Sequence, residues 1–157
     1  MAKHIATVEW QRAPDEPFSD NQYHRSHQWH FDGGAVIDAS SSPHVVPLPY
    51  STEANVDPEE AFIAAISSCH MLTFLGIAAK QRFVVDHYRD EAVGKLEENS
   101  QGYSSVTQVI LSPRVIFSGE KRPTRQQLEK LHHIAHQHCF IANSVTTEII
   151  THIDTAE

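Results

Sequence analysis

Apolar and polar residues along this chain alternate, then cluster, then alternate again. From His4 to Trp10 the apolar positions Ala6, Val8 and Trp10 fall on one face, the period of a strand. Arg12 to Gln22 is polar and holds Pro14 and Pro17, which predicts a loop. His24 to Phe31 alternates again, with Arg25, His27, Trp29 and Phe31 on one side. Asp32-Gly33-Gly34 then makes a tight turn into Ala35-Val36-Ile37, and the two runs predict a β-hairpin. Residues 39–56 carry three successive serines, Pro43, Pro47 and Pro49, a long loop leading into the next element. Two further runs, Phe83 to Leu96 and Val106 to Phe117, predict long strands joined by a polar turn, with an edge or bulge at Pro113. Thr124 to Cys139 has a capping box in Thr124 and Gln127 and apolar residues at helical spacing (Leu128, Leu131, Ile134, Ala135). Phe140 to Ser144 breaks that helix, and Val145 to Ile153 closes the chain as a strand.

The clustered stretch runs from Asp57 to Lys80 and organises the rest. Asp57 can cap free amides, Pro58 sits where a missing N–H costs nothing, and Glu59 and Glu60 complement the helix dipole. From Ala61 onward the stretch is apolar or small on nearly every side, which predicts a buried helix. Ser67, Ser68, Cys69, His70 and Thr73 interrupt it too often for a good membrane span. The order is a β-rich N-terminal part, a buried helix, two strands, a helix and a strand. This is an α+β chain, and no stretch reads as a linker, so one domain over 1–157 is expected.

Composition narrows the function classes. The 157 residues suffice for a real core without disulfides or metals. A net charge of −8 with no basic run argues against nucleic acid or an anionic membrane as partner. The first residues hold no apolar signal core, so a cytoplasmic location is expected. In a reducing compartment Cys69 and Cys139, seventy positions apart, form neither a permanent staple nor a C-x-x-C motif. By residue type alone each is equally a small buried hydrophobe.

Taken together, Asp57-Pro58-Glu59-Glu60, then Ser67-Ser68-Cys69-His70 inside the helix, Cys139 after an amphipathic helix, and Ser144-Val145-Thr146-Thr147-Glu148-Ile149 in the last strand resemble the OsmC/Ohr family of osmotically inducible and organic hydroperoxide resistance proteins. The resemblance covers most of the chain from Arg25 onward. It implies an intertwined α+β homodimer with active sites at the subunit interface, and a thiol-dependent peroxidase acting on organic hydroperoxides without a cofactor or metal. Cys69 stands where the family places the attacking cysteine and Cys139 where it places the resolving one. Glu59 matches the acid of the Pro-Glu helix start. Arg25 is the better match to the family's arginine and Arg12 the weaker. The implied reductant is a dithiol, of which a lipoyl group is one type. Three features depart from the pattern: Phe140, not proline, comes after Cys139, the N-terminal segment carries Ser41-Ser42-Pro43-His44, and His70 comes after Cys69, the last two resembling a subgroup of OsmC-like proteins. They bear on substrate more than on fold.

The chemistry sets its own demands. A thiolate attacks the peroxide and becomes a sulfenic acid, which a second thiol converts to a disulfide. Cys69 lies about three turns into its helix, beyond the reach of the dipole, so a fixed cation is needed, and a guanidinium suits. Arg25 takes that role, with His70 as runner-up cation. Glu59 precedes Cys69 by ten residues, about 15 Å along a helix. It would therefore orient the arginine at a site completed by a partner subunit. Phe62, Ile66, Met71 and Phe74 offer an apolar lining for bulky or alkyl hydroperoxides, or serve as core alone. Cys139, at a helix end, is placed where local unfolding lets a resolving thiol move. A rival constellation is His132, His136 and Cys139 at i, i+4 and i+7, a metal-ligand spacing, flanked by His133 and His138; the plainer reading is a hydrophilic helix face. A redox-sensing or small-ligand-binding module without turnover is the third reading.

Overall fold

The computed structural model describes residues 1–153, in two compact units, Met1–Ala61 and Phe62 onward. Three antiparallel strands make the first unit: β1 (Ala6–Glu9), β2 (His27–Phe31) and β3 (Val36–Ala39), in that order across the sheet. Trp29 lies opposite Val8 on one side and Ile37 on the other, and Gly34, at φ +87°, completes the turn between β2 and β3. The second run begins three residues later than its alternation predicts, because the backbone N–H of Arg25 donates to the Tyr50 carbonyl (2.8 Å) instead of to a neighbouring strand. The long Ser- and Pro-rich segment is a loop, pinned where Ala39 bridges Val56 and where the N–H of Thr52 donates to Ser40 Oγ (2.9 Å).

Helix α1 (Pro58–Lys80) starts as expected: Asp57 Oδ1 accepts from the N–H of Glu60 (2.7 Å), and Glu60 Oε2 accepts in return from the N–H of Asp57 (3.2 Å). Its C-terminus is a Schellman turn, with Phe83 N–H donating to Ala78 O (3.0 Å) and Arg82 N–H to Ala79 O (2.9 Å). Arg82 adopts φ +62° there, a position glycine would fill with less strain. Only one stripe of α1, Ile66, His70, Phe74 and Ala78, is buried within this chain, and Leu72 is 63% exposed. The expectation of a helix buried on every side is therefore corrected: one chain supplies packing partners for a single face. By length and composition alone α1 could cross a membrane, a test that a core helix also passes.

The second unit holds β4 (Val84–Asp90), β5 (Val93–Glu98), β6 (Ser104–Leu111), β7 (Pro113–Ser118), α2 (Arg125–His138) and β8 (Glu148–Thr151). The two long strands predicted from alternation are each broken, giving a β4–β7 pair and a β5–β6–β8 sheet in which β8 runs parallel to β6. Asp90 explains the break. Its carboxylate accepts from the Ser112 N–H (2.6 Å) and from the Ser67 hydroxyl, tying both strands and α1 at one point, and Pro113 has no N–H to continue the ladder. Ile66 packs with Val109 and Leu111, and Phe74 and Ala78 pack with Phe83, Leu131 and Ala135. A Cβ built on Gly94 would lie 2.4 Å from Ile63 Cδ1, so β5 and α1 approach closely there. Gly94→Val is expected to cost about 1–3 kcal/mol, read as a fall in Tm by thermal denaturation.

Candidate active site

The Thr124 capping box predicted from sequence is present, with Thr124 Oγ1 accepting from Gln127 N–H and Gln127 Oε1 from Thr124 N–H. It sets the phase of α2, which ends with Cys139 at its C-cap. Cys139 is 1% exposed, Cys69 is half-buried on α1, and both are free thiols. The fold places Cys69 near enough to Cys139 to act on its titration. Burial first, and the adjacent Cys69 thiol second, push the Cys139 thiol up to about 11, while a hydrogen bond from the Ala142 N–H to Sγ (3.4 Å) pulls the other way. The sequence predicts Cys139 at a helix end from which it moves to reach its partner. In the structure it is already beside Cys69 and buried, because Leu131 and Ala135 hold that face of α2 in the core.

His70, the runner-up cation, is not one. It is 1% exposed, and its Nε2 lies 3.0 Å from Nδ1 of His132, itself 2% exposed. The two rings are nearly parallel, 5° apart in plane, and His132 also stacks on Phe74 at 4.3 Å. Burial drives both toward the neutral form, His70 to about 4 and His132 to about 3, and the nearby His136 and His70 respectively push further down. Neither can supply positive charge to a thiolate at neutral pH. The same pairing removes His132 from the solvated helix face the plainer sequence reading gave it. Among the described residues no group of three His, Cys, Asp or Glu side chains converges as a metal would need, so His132, His136 and Cys139 do not form the rival constellation. Ile66 and Phe74 are core residues and not a substrate lining.

In the first unit Arg25 and Glu59 line one cavity of about 440 Å³ with Trp10, Phe18 and Tyr23. The Arg25 guanidinium stacks on the Tyr23 ring at 3.6 Å, and its two terminal nitrogens donate to Asn21 and to the Tyr23 carbonyl. Arg12, the weaker candidate, instead donates to the carbonyls of Ala13, Pro14 and Glu16, closing its own loop. What sequence reasoning missed was the aromatic wall of this cavity, whose three residues come from a strand end and a loop and share no period.

Residues 51–154 match the family model of OsmC-like proteins. The chain belongs to the OsmC-like family. It is 64% identical to an OsmC-like protein of unknown function from Vibrio cholerae, with 98% of this chain and 100% of that one covered and a TM-score of 0.96. The OsmC-like fold is shared with an organic hydroperoxide resistance protein OsmC from Legionella pneumophila (14% identity, 99% and 98% covered, TM-score 0.72) and with the organic hydroperoxide resistance protein OhrB of Bacillus subtilis (16%, 98% of each, 0.69). No curated protein matches the sequence. OsmC-like membership thus accounts for the α+β architecture.

Proposed function

We propose that this OsmC-like protein is a thiol-dependent peroxidase that reduces organic hydroperoxides, with the whole chain 1–157 acting as one domain in a cytoplasmic homodimer. The observation that carries the reading is the meeting of Cys69 and Cys139, seventy residues apart in sequence and side by side on α1 and at the end of α2. The Cys69 thiolate attacks the distal oxygen of ROOH. The O–O bond breaks, Cys69 becomes the sulfenic acid, and the alkoxide leaves and takes a proton as ROH. The Cys139 sulfur then attacks the Cys69 sulfur. A disulfide forms, and the displaced hydroxide leaves with the Cys139 proton as water. An external dithiol, such as a lipoyl group, restores both thiols and becomes oxidised in their place.

Arg25 acts as the fixed cation for the thiolate and peroxide, and Glu59 as the carboxylate that orients it, at a site completed by a second subunit. Their presence in one cavity supports the pairing. The uncovered apolar surface of α1, Leu72 included, supports a second copy as its cover. The test is intact-mass spectrometry after one equivalent of cumene hydroperoxide and then a dithiol. A loss of two mass units, about one disulfide, mapped to Cys69–Cys139 and reversed by the dithiol, is expected. An unchanged mass, or slow overoxidation at the rate of a free cysteine peptide, would remove the peroxidase reading.

A further inference from the structure

The cavity that Arg25 and Glu59 line has walls that their chemistry does not require. Trp10 packs against Tyr23 edge-on at 5.5 Å and against Phe18 at 5.9 Å, and Phe18 lies 4.6 Å from Tyr23. Three rings in mutual contact would ordinarily close into a core. Here Phe18 remains 53% exposed and Trp10 37%, and both face a cavity of about 440 Å³. Volumes of about 300–1,000 Å³ with apolar walls and a few polar groups are those of small-molecule sites.

The loop that carries Phe18 and Tyr23 is held in shape from within. Trp10 Nε1–H donates to the His24 carbonyl (3.0 Å), and the N–H of His24 donates to Glu16 Oε1 (2.6 Å). The His24 ring meets the same carboxylate through Nδ1 at 2.7 Å. These contacts fix the loop's two ends on each other, so the aromatic wall is in place before any ligand arrives. The same cavity carries polar groups, with Arg25 stacked on Tyr23 and His27, Ser40, Ser41 and Glu59 also in its lining. Trp10, Phe18, Tyr23 and Arg25 all precede residue 51, where the match to the family model begins, so this wall belongs to a part of the chain that the family model does not describe.

We infer that the cavity is a specificity subsite that seats an aryl group, with Trp10, Phe18 and Tyr23 holding the ring and its reactive substituent directed toward Arg25 and Glu59. The ligand class is therefore an aryl-substituted hydroperoxide rather than a small branched or straight alkyl one. The assignment of the reactive end rests on the peroxidase reading; the seat for the ring does not. Aromatic pairs prefer offset or edge-to-face contact, and each adds up to about tenfold in affinity over an aliphatic group of equal area.

Two measurements separate the two readings. Calorimetric titration of the Cys69→Ser protein with 2-phenylpropan-2-ol, the alcohol left by cumene hydroperoxide, tests the seat without chemistry. It is expected to bind at least about tenfold tighter than 2-methylpropan-2-ol, with most of the difference lost in Phe18→Ala and Trp10→Ala. Phe18 is largely exposed, so Phe18→Leu serves as an apolar, non-aromatic variant that keeps the fold. In turnover, the ratio of kcat/KM for cumene over tert-butyl hydroperoxide is expected to fall by about tenfold in Phe18→Leu. Equal binding of the two alcohols, or aryl selectivity that survives both alanine variants, would overturn the inference. Aryl alcohol binding that depends on Phe18, with no turnover of either hydroperoxide, would uphold the seat and remove the peroxidase.

Discussion

Cys69→Ser is expected to lower dithiol-dependent turnover of cumene hydroperoxide by at least about 10³-fold, because a serine hydroxyl at neutral pH is not ionised and cannot take an oxygen from a peroxide. Cys139→Ala is expected to lose steady turnover as well, but by a different route: Cys69 should still consume one equivalent of peroxide and accumulate as the sulfenic acid. Trapping that species with dimedone and mass spectrometry distinguishes the two. Normal turnover of Cys139→Ala with a dithiol would show that Cys139 is not the resolving group. The wild-type protein offers a further check. With the Cys139 thiol pushed up to about 11, its thiolate is scarce at pH 7 and rises about tenfold per pH unit below that value. Disulfide formation in a quenched single turnover should accelerate accordingly between about pH 7 and 10. A rate flat over that range would mean that the thiolate of Cys139 is not the attacking species.

Which parts of this arrangement are legible in the sequence depends on how local their causes are. Both helix starts are, because Asp57 with Glu60 and Thr124 with Gln127 are contacts three residues long. The β2–β3 turn is, because Asp32-Gly33-Gly34 carries its own backbone preference. The break in the long strands is not. It depends on Asp90 reaching Ser112, twenty-two residues away, and Ser67 on α1. Alternation says nothing of a carboxylate that ties strands from the side. The meeting of Cys69 and Cys139 has no signal in spacing or period, and the resemblance to OsmC-like proteins alone suggests it. His70 and His132, sixty-two residues apart, read in sequence as a candidate cation and a solvated helix residue. Each is polar by type and buried by topology, and no window of sequence contains both.

That histidine pair makes acid the condition under which this protein should fail first. The direction of the two shifts sets the sign. In the folded state His70 and His132 are held neutral, at about 4 and about 3, whereas in the unfolded chain each takes a proton near its ordinary value of 6.5. Below about pH 6.5 the unfolded state therefore binds more protons, and stability falls as pH falls, down to the folded-state values. At about 1.4 kcal/mol per pH unit and group, the loss between pH 6.5 and 4.5 is about 2–3 kcal/mol for each imidazole. Set against a typical total of about 5–15 kcal/mol, the two together suffice to bring the protein to the edge of unfolding. Protonation also breaks the Nε2···Nδ1 contact, since two imidazolium rings present only donors to each other. The charged and titratable neighbours named around the pair work in opposite senses: Asp90 favours the proton on His70, His136 opposes it. Urea denaturation at pH 7.0 and 4.5 measures the effect as a drop in midpoint at unchanged slope. The double variant His70→Leu/His132→Leu should lose most of that pH dependence whatever its absolute stability. If the variant keeps the full wild-type drop, the acid sensitivity resides in other groups and the pair is not its source.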